Sequence, residues 1–113
     1  MNDCLFCRIV AGDIPSNKVY EDDTVLAFYD IDKKAPVHVL IIPKKHIKSV
    51  AETAEEDMNI FSHIMRVAKK LAADFGLKNG FRLVTNIGRE GGQTVDHLHF
   101  HLLGGRIFLW PPG

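Results

Sequence analysis

The stretch His97-Leu98-His99-Phe100-His101-Leu102-Leu103 alternates histidine with apolar residues. Side chains alternate between the two faces of a β-strand, so this pattern predicts a strand that is buried on one face only. We expect it to span residues 95–103, with Leu98, Phe100 and Leu102 in the core. The three imidazoles would then share the opposite face.

Three interpretations of this histidine row stay open on the pattern alone. The row can be the polar outer face of a sheet, or two of its members can bind one zinc ion. Alternatively, a neutral imidazole can attack phosphorus while its neighbours donate hydrogen bonds to phosphoryl oxygens. The loop over residues 88–94 favours the third interpretation, because its glycines leave backbone N–H groups open to an anion. Gln93 and Thr94 add polar groups beside that site.

Two helices are expected before the histidine stretch. Asp3 is placed to cap a short helix over residues 4–11. Thr53 and Glu56 have the spacing of a capping box ahead of a long helix that ends at Gly76. Apolar residues recur at helical spacing along it: Ile60, Phe61, Ile64, Met65, Ala68, Leu71, Ala72 and Phe75.

The remaining β-rich segments set the predicted fold class. Further strands are expected over residues 19–21, 24–29, 37–42 and 81–85. Because the strands cluster instead of alternating with helices, we predict an α+β fold, with an antiparallel sheet of about five strands and the long helix on one face. No repeat or linker divides the chain, so a single domain over residues 1–113 is expected.

The charge balance excludes some kinds of partner. The 113 residues include 14 basic and 14 acidic ones, so no net field draws the chain to nucleic acid or to an anionic membrane. No apolar run reaches the roughly 18 residues of a membrane span. The N-terminus has no signal-peptide pattern, and a cytoplasmic location is therefore expected.

Other candidate residues allow several interpretations. Cys4 and Cys7 can form half of a metal site, a redox pair or part of the core. His38 lies in an apolar segment, where it is either a buried, hydrogen-bonded histidine or a partner to the histidine row. His63, on the long helix, is expected to face solvent without a role.

Further motifs connect the histidine stretch to a known family. They are Ala35-Pro36-Val37-His38, Ile41-Ile42-Pro43-Lys44-Lys45-His46, Gly91-Gly92-Gln93-Thr94-Val95, Gly104-Gly105-Arg106 and Trp110-Pro111-Pro112-Gly113. Over nearly its whole length the sequence resembles the histidine triad family, and within it the Hint branch. The resemblance implies a HIT-like fold, a homodimer, and a nucleotide-binding hydrolase that cleaves the P–N bond of purine nucleoside phosphoramidates, such as adenosine 5′-phosphoramidate or its guanosine counterpart.

The resemblance also implies a role for individual residues. His99 would attack the α-phosphorus and form a nucleotidyl-histidine, while His101 would contact the phosphate and be supported by His38. Thr94, where many relatives have serine, would hold oxygens of the phosphate or leaving group. Asp30 would accept hydrogen bonds from the ribose hydroxyls. The remaining substrate-binding set is Asn86, Gly92 and Gln93 near the phosphate, and Phe6, Ile9, Ile14, Phe28 and Leu40 around the base.

A structural zinc ion is the one cofactor implied, and no organic cofactor is expected. Many bacterial relatives pair two such cysteines with two histidines, which here would be Cys4, Cys7, His46 and His97. Two cysteines and two histidines form a complete tetrahedral zinc site.

Three alternative functions remain. The chain can be a dinucleoside polyphosphate hydrolase, although its Trp-Pro-Pro-Gly tail resembles the Hint branch instead. It can be a regulatory protein that binds a purine nucleotide with little turnover. It can also be a zinc hydrolase that uses the histidine row as ligands.

Overall fold

Residues 3–113, which the computed structural model describes, form two helices packed against an antiparallel sheet. The helices are α1 (Leu5–Val10) and α2 (Asn59–Asp74), and two 3-10 turns, Val50–Glu52 and Glu55–Asp57, precede α2. The strands are β1 (Lys18–Glu21), β2 (Val25–Tyr29), β3 (Val37–Pro43), β4 (Arg82–Val84) and β5 (Phe100–Gly104). Their order in the sheet is β1-β2-β3-β5-β4, and all neighbours are antiparallel. The predicted α+β class is confirmed.

Strands β2 and β3 are buried on both faces. Successive side chains alternate, so Val39 and Ile41 pack towards α2, whereas Leu40 and Ile42 pack towards α1. The apolar stripe of α2 covers the first face, and the shorter helix α1 covers part of the second. Leu102 of β5 belongs to the α2 face, so its neighbour His101 lies on the face that carries α1.

The last strand is shorter than the sequence predicted. Residues 95–99 lie in a loop, and β5 begins only at Phe100. Its ladder with β3 ends near Pro43, which has no N–H to donate. The backbone N–H of Leu98 instead donates to the carbonyl of Ile47 at 2.7 Å. The predicted strand bounds were therefore wrong, because His97 and His99 precede the strand. The three rings still lie on the side that carries α1: His97 and His99 both contact Phe6, and the ring centroids of His99 and His101 are 5.1 Å apart.

Both predicted helix caps were also wrong. The N-cap residue of α1 is Cys4, whose Sγ accepts a hydrogen bond from the Cys7 N–H at 3.2 Å. The 3-10 turns delay the start of α2 to Asn59, so Thr53 does not cap it. The Thr53 hydroxyl donates to the carbonyl of Ser49 instead, at 3.0 Å.

His63 does not simply face solvent as predicted. It is about one-third exposed, and its Nε2 lies 2.6 Å from Oδ2 of Asp22. The hydroxyl of Tyr20 donates to the same carboxylate oxygen, while the N–H groups of Thr24 and Val25 donate to Oδ1. These contacts connect α2 to the β1–β2 turn.

Among residues 3–113, no helix is both long enough and apolar enough to cross a membrane.

Candidate active site

A cavity of about 560 Å³ lies between α1 and the sheet, and we call it the α1 cavity. Its volume is in the range of small-molecule sites. The five residues expected around a base all line it, and so do four of the expected polar residues: Phe6, Ile9, Ile14, Phe28 and Leu40, with Asp30, Thr94, His99 and His101. Sequence reasoning missed other lining residues, including Leu5, Ser16, Asn17 and Val95.

One ring nitrogen of His99 is hydrogen-bonded to the backbone, and the other is available to a substrate. It is only 6% exposed, and its Nδ1 lies 2.7 Å from the backbone carbonyl oxygen of His97. A carbonyl can only accept, so the neutral ring carries its proton on Nδ1 and leaves a lone pair on Nε2. The Phe6 ring packs against it in a perpendicular arrangement, with 5.2 Å between centroids. The Thr85 hydroxyl, which sequence reasoning also missed, fixes the backbone by donating to the His99 carbonyl at 2.9 Å.

His101 and His38 form a hydrogen-bonded pair behind His99. The N–H of Lys34 donates to His38 Nδ1 at 3.1 Å, which places the proton of a neutral His38 on Nε2. That Nε2–H donates to His101 Nδ1 at 2.9 Å, so His101 presents its own N–H at Nε2. Burial, with smaller contributions from His99 and His38, lowers the pKa of His101 to about 4. Burial also lowers the pKa of His38. Both rings are therefore neutral at pH 7.

Asp30 lies where β2 ends, and one of its carboxylate oxygens is already engaged. Oδ1 accepts from the N–H of Asp32 at 2.8 Å, while Oδ2 lies 3.4 Å from His38 Nε2. The side chain keeps further lone pairs that can accept from hydroxyl groups in the cavity. Thr94 also lines the α1 cavity. It borders a second cavity as well, beside Cys4 and Cys7.

Three expected substrate-binding residues do not line the α1 cavity: Asn86, Gly92 and Gln93. The side chain of Gln93 is engaged within the protein. Its amide donates to the carbonyls of Lys48 and Val95 at 2.7 and 3.0 Å, and its oxygen accepts from the N–H of Gly88 at 2.9 Å. Gln93 therefore shapes the loop over residues 88–94. Gly92 has a φ of +87°, a conformation that favours glycine.

Four side chains form a second site beside α1, the Cys2His2 cluster of Cys4, Cys7, His46 and His97. Cys4 Sγ lies 3.2 Å from His97 Nδ1, and Cys7 Sγ lies 3.2 Å from His46 Nδ1 and 3.4 Å from His97 Nδ1. The two Nδ1 atoms are 3.3 Å apart. Around a tetrahedral zinc ion, nitrogen–nitrogen edges are about 3.3 Å and nitrogen–sulfur edges about 3.5 Å. The donor set and spacing thus fit a metal ion of the zinc type.

A backbone carbonyl also orients His97 within this cluster. The ring is fully buried, and its Nε2–H donates to the carbonyl of Pro43 at 2.9 Å. This bond leaves Nδ1 unprotonated and directed at the two sulfur atoms, as a metal ligand requires. The His97 ring belongs to the Cys2His2 cluster, whereas the His99 ring lines the α1 cavity. The Phe6 ring contacts both imidazoles.

Comparisons with known proteins give a consistent result. The model of the HIT domain matches residues 11–107. An uncharacterized HIT-like protein of Synechocystis is 51% identical over 98% of this chain and 97% of the relative. The crystal structure of a HIT family hydrolase from Legionella pneumophila superposes with a TM-score of 0.96, at 51% identity, over 98% of this chain and all of that one. A histidine triad nucleotide-binding protein from Candida albicans gives a TM-score of 0.82 at 36% identity, over 96% of this chain and 83% of the other.

Proposed function

This chain belongs to the HIT domain family, and on that basis we propose that it hydrolyses the P–N bond of purine nucleoside phosphoramidates. One observation carries the proposal. The buried His99 ring has its Nδ1–H tied to the His97 carbonyl and its Nε2 available at the α1 cavity. The hydrolase from Legionella pneumophila and the nucleotide-binding protein from Candida albicans support the same general activity by their names.

The cavity suits the two ends of a nucleotide. Phe6 and Phe28, whose rings contact each other at 5.6 Å between centroids, form an apolar wall against which a purine ring can pack. Asp30 would accept from the ribose hydroxyls, and a carboxylate can accept two hydrogen bonds at once. His101 would donate its Nε2–H to a phosphoryl oxygen, because a ring with a pKa of about 4 is a neutral donor at pH 7.

The first half of the reaction forms a covalent intermediate. His99 Nε2 attacks the α-phosphorus, the P–N bond of the substrate breaks, and the amine leaves with a proton taken from water. The ring becomes cationic as Nε2 bonds to phosphorus. The Nδ1–H bond to the His97 carbonyl then becomes charge-assisted, which stabilises that state.

Water completes the reaction. It attacks the phosphorus, the P–Nε2 bond breaks and its electron pair returns to His99. The products are a nucleoside 5′-monophosphate and a proton released to solvent. The protein thereby replaces one slow displacement with two faster ones.

The intermediate gives the decisive test. Mixing the protein with adenosine 5′-phosphoramidate and quenching within milliseconds should yield a chain heavier by one adenylyl group in mass spectrometry. His99→Ala should lose both the adduct and turnover while still binding AMP. If His99→Ala turns over normally, or the wild type cleaves substrate without any adduct, the covalent scheme is wrong. An adduct formed equally fast from a dinucleoside polyphosphate would favour that alternative substrate.

We also propose that zinc occupies the Cys2His2 cluster as a structural ion. The four donors would hold it, and when bound it supplies a rigid cross-link between α1 and the segments that carry His46 and His97. Since α1 brings Phe6 and Ile9 to the α1 cavity, the ion would fix one wall of the substrate site.

The active form proposed here is a homodimer. Strand β4 lies at an edge of the sheet, so its outer backbone groups can pair with a second chain. Large apolar side chains are also exposed: Phe81, Ile87, Ile107, Leu109 and Trp110. A surface of this kind is typical of a protein interface. Light scattering after gel filtration should give twice the chain mass of 12.7 kDa.

A further inference from the structure

We infer that Asn17 gives the α1 cavity a preference for adenine over guanine. This inference rests on the proposed function, because it assigns the base selectivity of the same site. The apolar walls cannot supply that selectivity. Phe6 and Phe28 would form an apolar wall against a purine, and every base has a similar face, so packing on aromatic rings tolerates any of them.

Selectivity must therefore come from hydrogen bonds to the edge of the base, and few lining side chains can make them. His99, His101 and Thr94 belong to the phosphate end in the proposed function, and Asp30 serves the ribose. Tyr29 lines the cavity, but its ring packs against Phe75 on the α2 face. The lining side chains with unassigned hydrogen-bonding groups are then Ser16 and Asn17.

Asn17 has a fixed backbone and an available amide. Its carbonyl accepts from the N–H of Tyr29 at 3.0 Å, which holds the residue beside Asp30, the expected ribose ligand. Within residues 3–113 its side-chain amide forms no hydrogen bond to another protein group, and the residue is exposed. The amide can therefore turn to a base without breaking an existing contact.

The chemistry of the amide determines which purine it favours. It presents an acceptor oxygen and a donor NH₂ side by side. Adenine offers the complementary pair on one edge, with N6–H₂ as donor and N7 as acceptor. Guanine carries two acceptors, O6 and N7, on that edge and would leave the amide oxygen facing a like group. Asparagine pairs in this way with adenine, whereas arginine and lysine pair with guanine.

The first experiment compares adenosine and guanosine 5′-phosphoramidates as substrates, and AMP and GMP as ligands by calorimetry. We expect the wild type to favour adenine by about 5- to 10-fold in kcat/KM and in affinity, the lower end of the discrimination of a bidentate contact. Asn17→Ala should bring the ratio of the adenine value to the guanine value close to one, both for kcat/KM and for affinity. Asn79→Ala, a matched change in the loop between α2 and β4, should leave it unchanged.

Two further measurements locate the contact. Asn17→Arg should reverse the preference towards guanine. A 7-deaza-adenosine phosphoramidate, which lacks the N7 acceptor, should be a poorer substrate for the wild type but not for Asn17→Ala. If the protein cleaves phosphoramidates and the ratio is the same in Asn17→Ala, the inference is overturned and the proposed function stands. If no phosphoramidate is cleaved and neither monophosphate binds, both fail.

Discussion

The Nδ1 atom of His99 lies 2.7 Å from the carbonyl oxygen of His97, two residues earlier in the chain. The Nε2 atom of His97 lies 2.9 Å from another carbonyl oxygen, that of Pro43. Two histidines of one motif thus carry their protons on different ring nitrogens. As a result His99 offers Nε2 to the α1 cavity, and His97 offers Nδ1 to the Cys2His2 cluster.

This difference predicts distinct tautomers in solution. Long-range ¹H–¹⁵N correlation spectra at pH 7.5 should show His99 protonated at Nδ1 and His97 protonated at Nε2, because each proton is fixed by a backbone acceptor. His99→Ala identifies the first set of signals. Finding His99 as the Nε2–H tautomer would remove the nucleophile from the proposed mechanism.

Asp30→Asn should weaken the binding of ribose-containing substrates. The substitution keeps the size of the side chain but removes the charge that strengthens its hydrogen bonds to hydroxyls. We expect KM to rise by about 10-fold, corresponding to roughly 1.4 kcal/mol, with little change in kcat. A 2′,3′-dideoxy substrate provides the control, since it has no hydroxyls to lose. An equal rise in KM for both substrates would contradict the ribose assignment.

The stability of the fold should depend on pH through His101. Its pKa in the folded state is about 4, below the ordinary value of 6.5. Between these values the unfolded chain takes up a proton that the folded chain does not. The stabilising contribution is therefore complete above about pH 6.5 and is lost as the pH falls towards 4.

Urea unfolding at pH 7.5 and pH 4.5 measures this contribution. The free energy of unfolding of the wild type should fall by about 2–3 kcal/mol more than that of His101→Gln over this interval. His63→Gln serves as the comparison for a histidine outside the α1 cavity. The assignment fails if wild type and His101→Gln have the same pH dependence.

Metal analysis should find about one zinc ion per chain. Cys4→Ser, Cys7→Ser or His46→Asn should remove most of it and lower the melting temperature, because the proposed ion would cross-link α1 to the segments that carry His46 and His97. His63→Asn, a histidine variant distant from the cluster in sequence, should retain the metal. A full complement of zinc in the cysteine variants would place the ion elsewhere.

The Asp22 carboxylate should contribute to stability without affecting the chemistry. It accepts from the Thr24 and Val25 N–H groups, and its other oxygen contacts His63 and Tyr20. These hydrogen bonds hold the pKa of Asp22 below its usual value, so its contribution is present at neutral pH and lost in acid. Asp22→Ala should cost about 1–3 kcal/mol of unfolding free energy and leave kcat unchanged. A loss of kcat in a fully folded variant would contradict this role.

The sequence by itself was sufficient for the fold class, but only for part of the residues that meet in the two sites, because Asn86, Gly92 and Gln93 do not line the α1 cavity and Ser16 and Asn17 do. Apolar residues at helical spacing predict α2, and short runs of β-branched and aliphatic residues predict β2 and β3, because these signals follow from local backbone geometry. The motif around His97–His101, together with the other motifs along the chain, indicated the family, and the resemblance named nine residues that line the cavity and the four members of the cluster.

Only the tertiary structure decided which partners each of these residues meets. Strand alternation made the three triad histidines equivalent, but Pro43 ends the ladder and its carbonyl binds His97, which lies 54 positions further along the chain. Gln93 is engaged by the Lys48 and Val95 carbonyls, and Asn17, which no motif marked, lines the α1 cavity. Local patterns specify the direction of a side chain within its own element. The group that a side chain contacts depends on segments from elsewhere in the chain that pack against its element. For a histidine, that contact determines which ring nitrogen carries the proton.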